Sequence, residues 1–186
     1  MCAPGTHKAW AGRVRGIDPP GSFTEMTAAA YESDAPDDGL RLADRIAIHE
    51  LRARYNHHYD DRELDEFVAL FAVDGLLQLA YVGWARGHDE LRAALAGPMQ
   101  SADFAAHFTT DELTGFTGPD TATGKSRFAV NTGRQPNIEG AGTYHDEYVR
   151  TADGWRFQSR KIAFYYMGPR ATEYAPAPPP IPAPPA

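Results

Sequence analysis

The sequence predicts an α+β domain with a mostly antiparallel sheet, and three observations carry that prediction. The hydrophobic pattern changes once along the chain, from a three-four helical period to the alternation of strands. The alternating segments follow one another directly, joined by turns of Gly, Pro and Asp such as GPDTATG and the ADG at 152–154. Helices followed by a run of consecutive strands make a sheet that must cover its apolar face with those helices.

The first helix is read in LRLADRIAIHELRARYNHHYD, where Ile48, Leu51, Tyr55, His58 and Tyr59 fall on one face. A second helix is expected in RELDEFVALFA, with Asp60 or Asp61 as its cap, because Asp60 and Glu63 have capping-box spacing. GLLQLAYVGWA reads as a strand or hairpin, and GHDELRAALAG as a short third helix. From His107 the strands are HFTTDELTGF, SRFAVNTGR, GTYHDEYVRT and GWRFQSRKIAFYYM. If the sheet curls around the helices, the space between becomes a pocket lined by helix one and alternate strand residues.

The chain has 186 residues, 42% hydrophobic and 11% aromatic, enough for the core of one domain and hardly of two. Residues 1–39, with the acidic run ESDAPDD and no sustained hydrophobic period, read as a flexible leader. Met26 is a second candidate start, which would make residues 1–25 an upstream extension. The folded domain is placed at 40–170. Residues 171–186 form a Pro-rich tail, either an idle polyproline II segment or, through its PxxP spacing, a ligand for an SH3-like partner. There is no internal repeat and no phosphate-binding glycine motif.

A net charge of -7 gives no basic footprint for nucleic acid or an anionic membrane, and a small neutral or apolar substrate fits better. Cys2 is the only cysteine, so an internal disulfide is excluded and a reducing compartment is suggested. With no signal-like apolar run and no stretch of roughly 20 apolar residues, the expected location is cytoplasmic.

ADRIAIHELRARYNHHYDDRELDEFVALFAVDG, the HF at His107 and GTYHDEYVRTADGWRF ahead of SRKI together resemble the SnoaL-like branch of the NTF2-like superfamily, over about Leu42 to Met167. Members include polyketide cyclases, scytalone dehydratase and the hexachlorocyclohexane dehydrochlorinase. The resemblance implies a cone: a strongly curved sheet wrapped around about three helices, with the active cavity in its mouth. It further implies an aspartate at the end of the first helix and a histidine opening a later strand as a catalytic dyad, here Asp60 and His107.

The dehydratase tyrosine before that aspartate corresponds to Tyr59, and the dehydrochlorinase arginine has Arg150 as its nearest match. Two departures accompany the match. Where the dehydratase has a second histidine, on the strand FAVNTGR, this chain has Asn131 or Thr132; where the dehydrochlorinase has a lysine one turn before its aspartate, it has Tyr55 or Asn56.

The residue types suit proton abstraction. A neutral imidazole is matched to that task near pH 7, and a carboxylate on its other nitrogen fixes the tautomer and stabilises the imidazolium. Asp60 also stands at the negative end of the helix macrodipole, a placement that costs up to about 1 kcal/mol. It is explained either by a dyad or by capping of the next helix. Likewise His107 is either the base or a strand-end histidine bonded to backbone.

Tyr144, Tyr148 and Arg150 share one strand face and, if it lines the cavity, would hold a substrate oxygen and stabilise negative charge. If that face points outward, they belong to an interface or to solvent. Tyr55, Tyr59 and Asn131 complete the expected substrate contacts. A metal is not expected, since adjacent helical histidines such as His57 and His58 point about 100° apart.

The expected function is therefore a cofactor-independent lyase, isomerase or cyclase acting on a small, largely apolar ring substrate. The alternative is a non-catalytic ligand-binding or subunit-scaffold protein. A homodimer or homotrimer is expected from the family habit and the aromatic FYY at 164–166, which would close the pocket mouth or pack a neighbouring subunit.

Overall fold

The computed structural model describes residues 40–79, 83–101, 105–131 and 138–167; the leader and tail expected at 1–39 and 171–186 lie outside them. The element order is α1 (Leu40–Asp60), α2 (Leu64–Val68), β1 (Phe71–Leu79), β2 (Gly83–Arg86), α3 (Gly87–Ser101), β3 (Ala106–Phe116), β4 (Thr121–Asn131), β5 (Gly140–Thr151) and β6 (Gly154–Met167). The fold is thus α+β, with six strands ordered β2-β1-β6-β5-β4-β3. All neighbours pair antiparallel except β1 and β6, which run parallel.

Register shifts bend this sheet into an open, curved shape. They occur between Thr110 and Leu113 in β3, at Ala141/Gly142 and Glu147/Tyr148 in β5, and between Phe71 and Leu76 in β1. Each extra residue kinks its strand and increases the local twist. Asp111, inside the β3 irregularity, has φ 53, the left-handed conformation such a kink uses.

Two neighbouring stripes on α1 explain how it sits. Ile48, Leu51 and Tyr55 are buried, Tyr55 against Phe67, Phe71 and Phe157, and Tyr59 packs beside them on Phe67. Beside that apolar stripe, Arg45, His49, Arg52, Asn56 and Asp60 recur every three or four residues and face the edge strand β3.

α1 ends in a Schellman turn. Glu63 N donates to His58 O at 2.9 Å and Arg62 N to Tyr59 O at 3.2 Å, with Arg62 at φ 64. A non-glycine residue there carries a steric cost of about 1 kcal/mol or more.

The second helix is shorter than its apolar run suggests. α2 covers only Leu64–Val68, its N-cap is Glu63 with no side-chain cap, and neither Asp60 nor Asp61 caps it. Phe71 and Ala72, expected to be helical, open β1 instead, because Phe157 N bonds Leu70 O at 2.9 Å and β6 captures the chain there. No described helix is long and apolar enough to cross a membrane.

Candidate functional site

α1 and β3 meet along a polar seam. Arg45 donates to the Thr114 carbonyl at 2.8 Å, and Asn56 Nδ2 to Thr109 Oγ1 at 2.9 Å. At the seam's last position Asp60 meets His107. Asp60 Oδ1 lies 2.5 Å from His107 Nδ1, and Oδ2 accepts the His107 backbone N–H at 2.8 Å. The carboxylate is held by the strand rather than by a helix N-terminus, which compensates its position at the end of α1. Because an ionised carboxylate only accepts, Nδ1 carries the proton and the lone pair of neutral His107 is on Nε2. Side-chain exposure is 11% for His107 and 20% for Asp60, so the pair is largely withdrawn from solvent.

Tyr59 lies edge-on to the His107 ring at 4.9 Å between centroids. Burial and the adjacent Asp60 charge raise its pKa, so its phenol stays protonated. Tyr55 and Tyr144 lie deeper, with ring centroids 5.9 Å apart. Burial pushes Tyr55 up to about 12, with Arg160 opposing, and pushes Tyr144 well above its ordinary value.

Among these aromatic rings is a cation that the sequence reading missed. Arg160 is fully buried, its Cζ 4.1 Å over the rings of Tyr55 and Tyr144 and 4.3 Å over Phe157. Its Nε and Nη2 each donate to Asp146 at 2.8 Å. Burial alone would lower the pKa, and the Asp146 charge outweighs it, so the guanidinium stays charged. Asp146 also accepts from Tyr148 OH at 2.6 Å, and that hydroxyl accepts from buried Arg52 Nε at 2.6 Å. Tyr148 therefore spends its hydroxyl on the Arg52–Asp146 network.

Two buried side-chain atoms, Arg160 Nη1 and Ser126 Oγ, have no hydrogen-bond partner among the described residues. Both adjoin Tyr144, since Ser126 is its register partner and Arg160 covers its ring. A buried donor without an acceptor costs about 1–3 kcal/mol.

Other expected site residues lie elsewhere. Arg150 pairs with Asp44 at 2.6 Å and Asp120 at 3.1 Å, over the Trp155 ring. Asp44 is in the first turns of α1 and Asp60 at its end, roughly 24 Å away at 1.5 Å per residue. Arg150 thus belongs to the opposite end of the domain from the dyad, held there by Asp44 of α1 and Asp120 of the turn into β4.

Asn131 ends β4 opposite Ala106, while Val130, on the face of His107, packs against the core. Alternation therefore turns Asn131 to the other face of the sheet. Phe164 packs inward on Phe128, whereas Tyr165 and Tyr166 are exposed. His57 is exposed, and His58 bonds Glu63 at 2.6 Å. Among the described residues no group of three or more His, Cys, Asp or Glu could hold a metal. A groove of about 420 Å³ on the outer side of α1, lined by residues including Arg54, His58, Glu66, Trp155 and Arg156, contains neither member of the dyad.

The family model of the SnoaL-like domain matches residues 40–161. No curated protein matches the chain. Among solved structures, an NTF2-like protein with a cystatin-like fold from Novosphingobium aromaticivorans is 26% identical, with TM-score 0.63, covering 73% of this chain and 91% of its own. A putative scytalone dehydratase from the same organism is 22% identical, with TM-score 0.63, covering 70% and 89%. A hexachlorocyclohexane dehydrochlorinase (LinA) of type 2 is 19% identical, with TM-score 0.61, covering 69% and 89%. These last two are likenesses of fold.

Proposed function

Given that the chain belongs to the SnoaL-like domain family, we propose that it is a cofactor-independent lyase, isomerase or cyclase acting on a small, largely apolar ring substrate, with His107 as its base. The observation that carries this reading is the double engagement of Asp60, which accepts both the ring Nδ1–H and the backbone N–H of His107. A carboxylate so fixed presents one tautomer, with the basic lone pair on Nε2. The substrate C–H bond breaks and its proton passes to Nε2. The electron pair moves onto an adjacent carbonyl oxygen or expels a leaving group from the neighbouring carbon. Asp60 stabilises the imidazolium, and the buried Arg160 supplies positive charge to an oxygen that gains electrons. Tyr55, Tyr59 and Tyr144 keep their protons and can donate to the same oxygen.

The test compares native protein with His107→Ala on a panel of cyclic ketones and of rings bearing β-leaving groups, following solvent deuterium exchange and elimination. Turnover should fall about a hundred- to ten-thousand-fold, with the circular dichroism spectrum kept. Turnover retained in the variant removes His107 from the mechanism.

A second reading has its own support: the dyad is one of several ties along the α1–β3 seam, as a structural fastening in a binding or scaffold protein would be. In that case His107→Ala lowers stability, and neither protein turns over any member of the panel.

A further inference from the structure

We propose that two copies of this chain meet through the outward face of strands β3 to β6, on an apolar row made by Phe108, Ala129, Ala141 and Tyr166. These four residues stand side by side in register, one on each of four adjacent strands. Their strand neighbours point inward, since Val130 packs against the core and His107 meets Asp60 of α1. Alternation therefore turns the row away from the helices. Tyr165, passed over by the register between Phe164 and Tyr166, lies on the same outward side, bonded through its hydroxyl to Thr143, with Arg127 Cζ 5.8 Å from its ring centroid.

The row is left to water in one copy. Phe108 is 62% exposed, Tyr165 63% and Tyr166 49%. At about half of the roughly 150–250 Å² that an aromatic side chain can bury, the three amount to about 300 Å². A contiguous apolar patch of that size marks an interaction site. A stable interface takes roughly 600 Å² from each partner, and Ala129, Ala141, Ala163, Thr110 and the arm of Arg127, set between and beside the aromatic rings, supply the rest.

The order of the row points to a second copy as the occupant. Aromatic, small, small, aromatic reads the same in both directions, as a two-fold contact requires of a surface that meets itself. An axis between Ala129 and Ala141 sets Phe108 of one copy against Tyr166 of the other at both ends, and leaves each aromatic ring room over the alanines. The charges agree with this placement. Arg127, Lys125, His145, Lys161 and Glu147 all lie to one side of the row along their strands, and the rotation carries those of the second copy to the opposite side. At about 3.3 Å per residue Lys125 is roughly 13 Å from the row, so the two copies' lysines stand roughly 26 Å apart, well beyond the Debye length of about 8–10 Å. Arg127 is nearer, and it already shares Asp111 at 3.5 Å. Because Phe108 follows His107 on the edge strand, the second copy backs the strand that carries the histidine.

Sedimentation equilibrium of the full chain tests the contact. A dimer is expected at roughly 50 µM protein, and Phe108→Glu or Tyr166→Glu should each raise its dissociation constant about thirtyfold or more, with the circular dichroism spectrum unchanged. In a Cys2→Ser background, which removes the only native cysteine, the variant with Phe108→Cys and Tyr166→Cys should oxidise to covalent dimers. Within one copy these positions are roughly 14 Å apart, too far for a disulfide. A native chain that stays monomeric overturns the proposal, the patch then being covered in another way. A trimer, or a dimer that both glutamate variants leave intact, overturns it as well, and a dimer that forms no such disulfide overturns the pairing of Phe108 with Tyr166.

Discussion

Asp60 has two oxygens and gives one to the ring and one to the backbone of the same residue. That sharing makes the tautomer of His107 a testable property. In Asp60→Asn the amide can present its NH2 to Nδ1, which moves the ring proton to Nε2 and removes the base. Nitrogen-15 shifts of the imidazole should report the proton on Nδ1 in the native protein at neutral pH and on Nε2 in the variant; an unchanged pattern would separate the two residues.

Asp60 stood out in the sequence because a carboxylate at the end of a helix is out of place, and a dyad or capping of the next helix explained it equally until α2 proved to have no side-chain cap. Arg160 was not legible. Alternation in QSRKIAF says that Arg160 and Lys161 face opposite ways, but not that the arginine is the inward one. Its counter-charge, Asp146, is on the neighbouring strand, fourteen residues back. Arg150 drew the assignment instead because it stands nearer the turn that marks the family pattern.

Between elements, the strands β5 and β6 and the helix α1 are joined by two buried guanidinium groups around one carboxylate. Asp146 takes both oxygens to Arg160 and lies 3.9 Å from Arg52. Asp146→Asn would leave buried Arg160 without its counter-charge, while Arg52 keeps Glu112 at 3.2 Å, a loss of about 3–5 kcal/mol readable in urea unfolding. The exposed helical pair Arg54–Glu50 gives the contrast, since Glu50→Gln should change stability by no more than about 0.5 kcal/mol.

Gly124 belongs to the same construction: a side chain there would collide with Arg52 and the Tyr148 ring. Gly124→Ala should therefore displace Arg52 and destabilise the domain by about 1–3 kcal/mol. The helical period and the strand alternation located α1, α3 and β3 to β6 from the sequence, because each pattern is local. The start of β1 was hidden, since Phe71 leaves the helix pattern only on meeting Phe157 from the far end of the domain.

For the whole molecule, the buried phenols set an upper pH limit. An unfolded tyrosine ionises near pH 10, whereas Tyr55 is held up to about 12. Above pH 10 the unfolded chain releases this proton first, so the stabilisation is complete below pH 10 and lost progressively up to about 12. The urea midpoint should fall across that window, and Tyr55→Phe should flatten part of the decline.

The strand order places β6 between β1 and β5. Sheet formation consequently waits for β6, the last of the described strands, to be synthesised. Until it arrives, the β1–β2 hairpin and the β3–β5 meander are two separate fragments with open edges, exposed to wrong pairing. Arg160 is carried on that strand, so the cation enters the interior in the step that unites the fragments. Charge burial and sheet closure are then one event, and a nascent chain halted before Gly154 has neither.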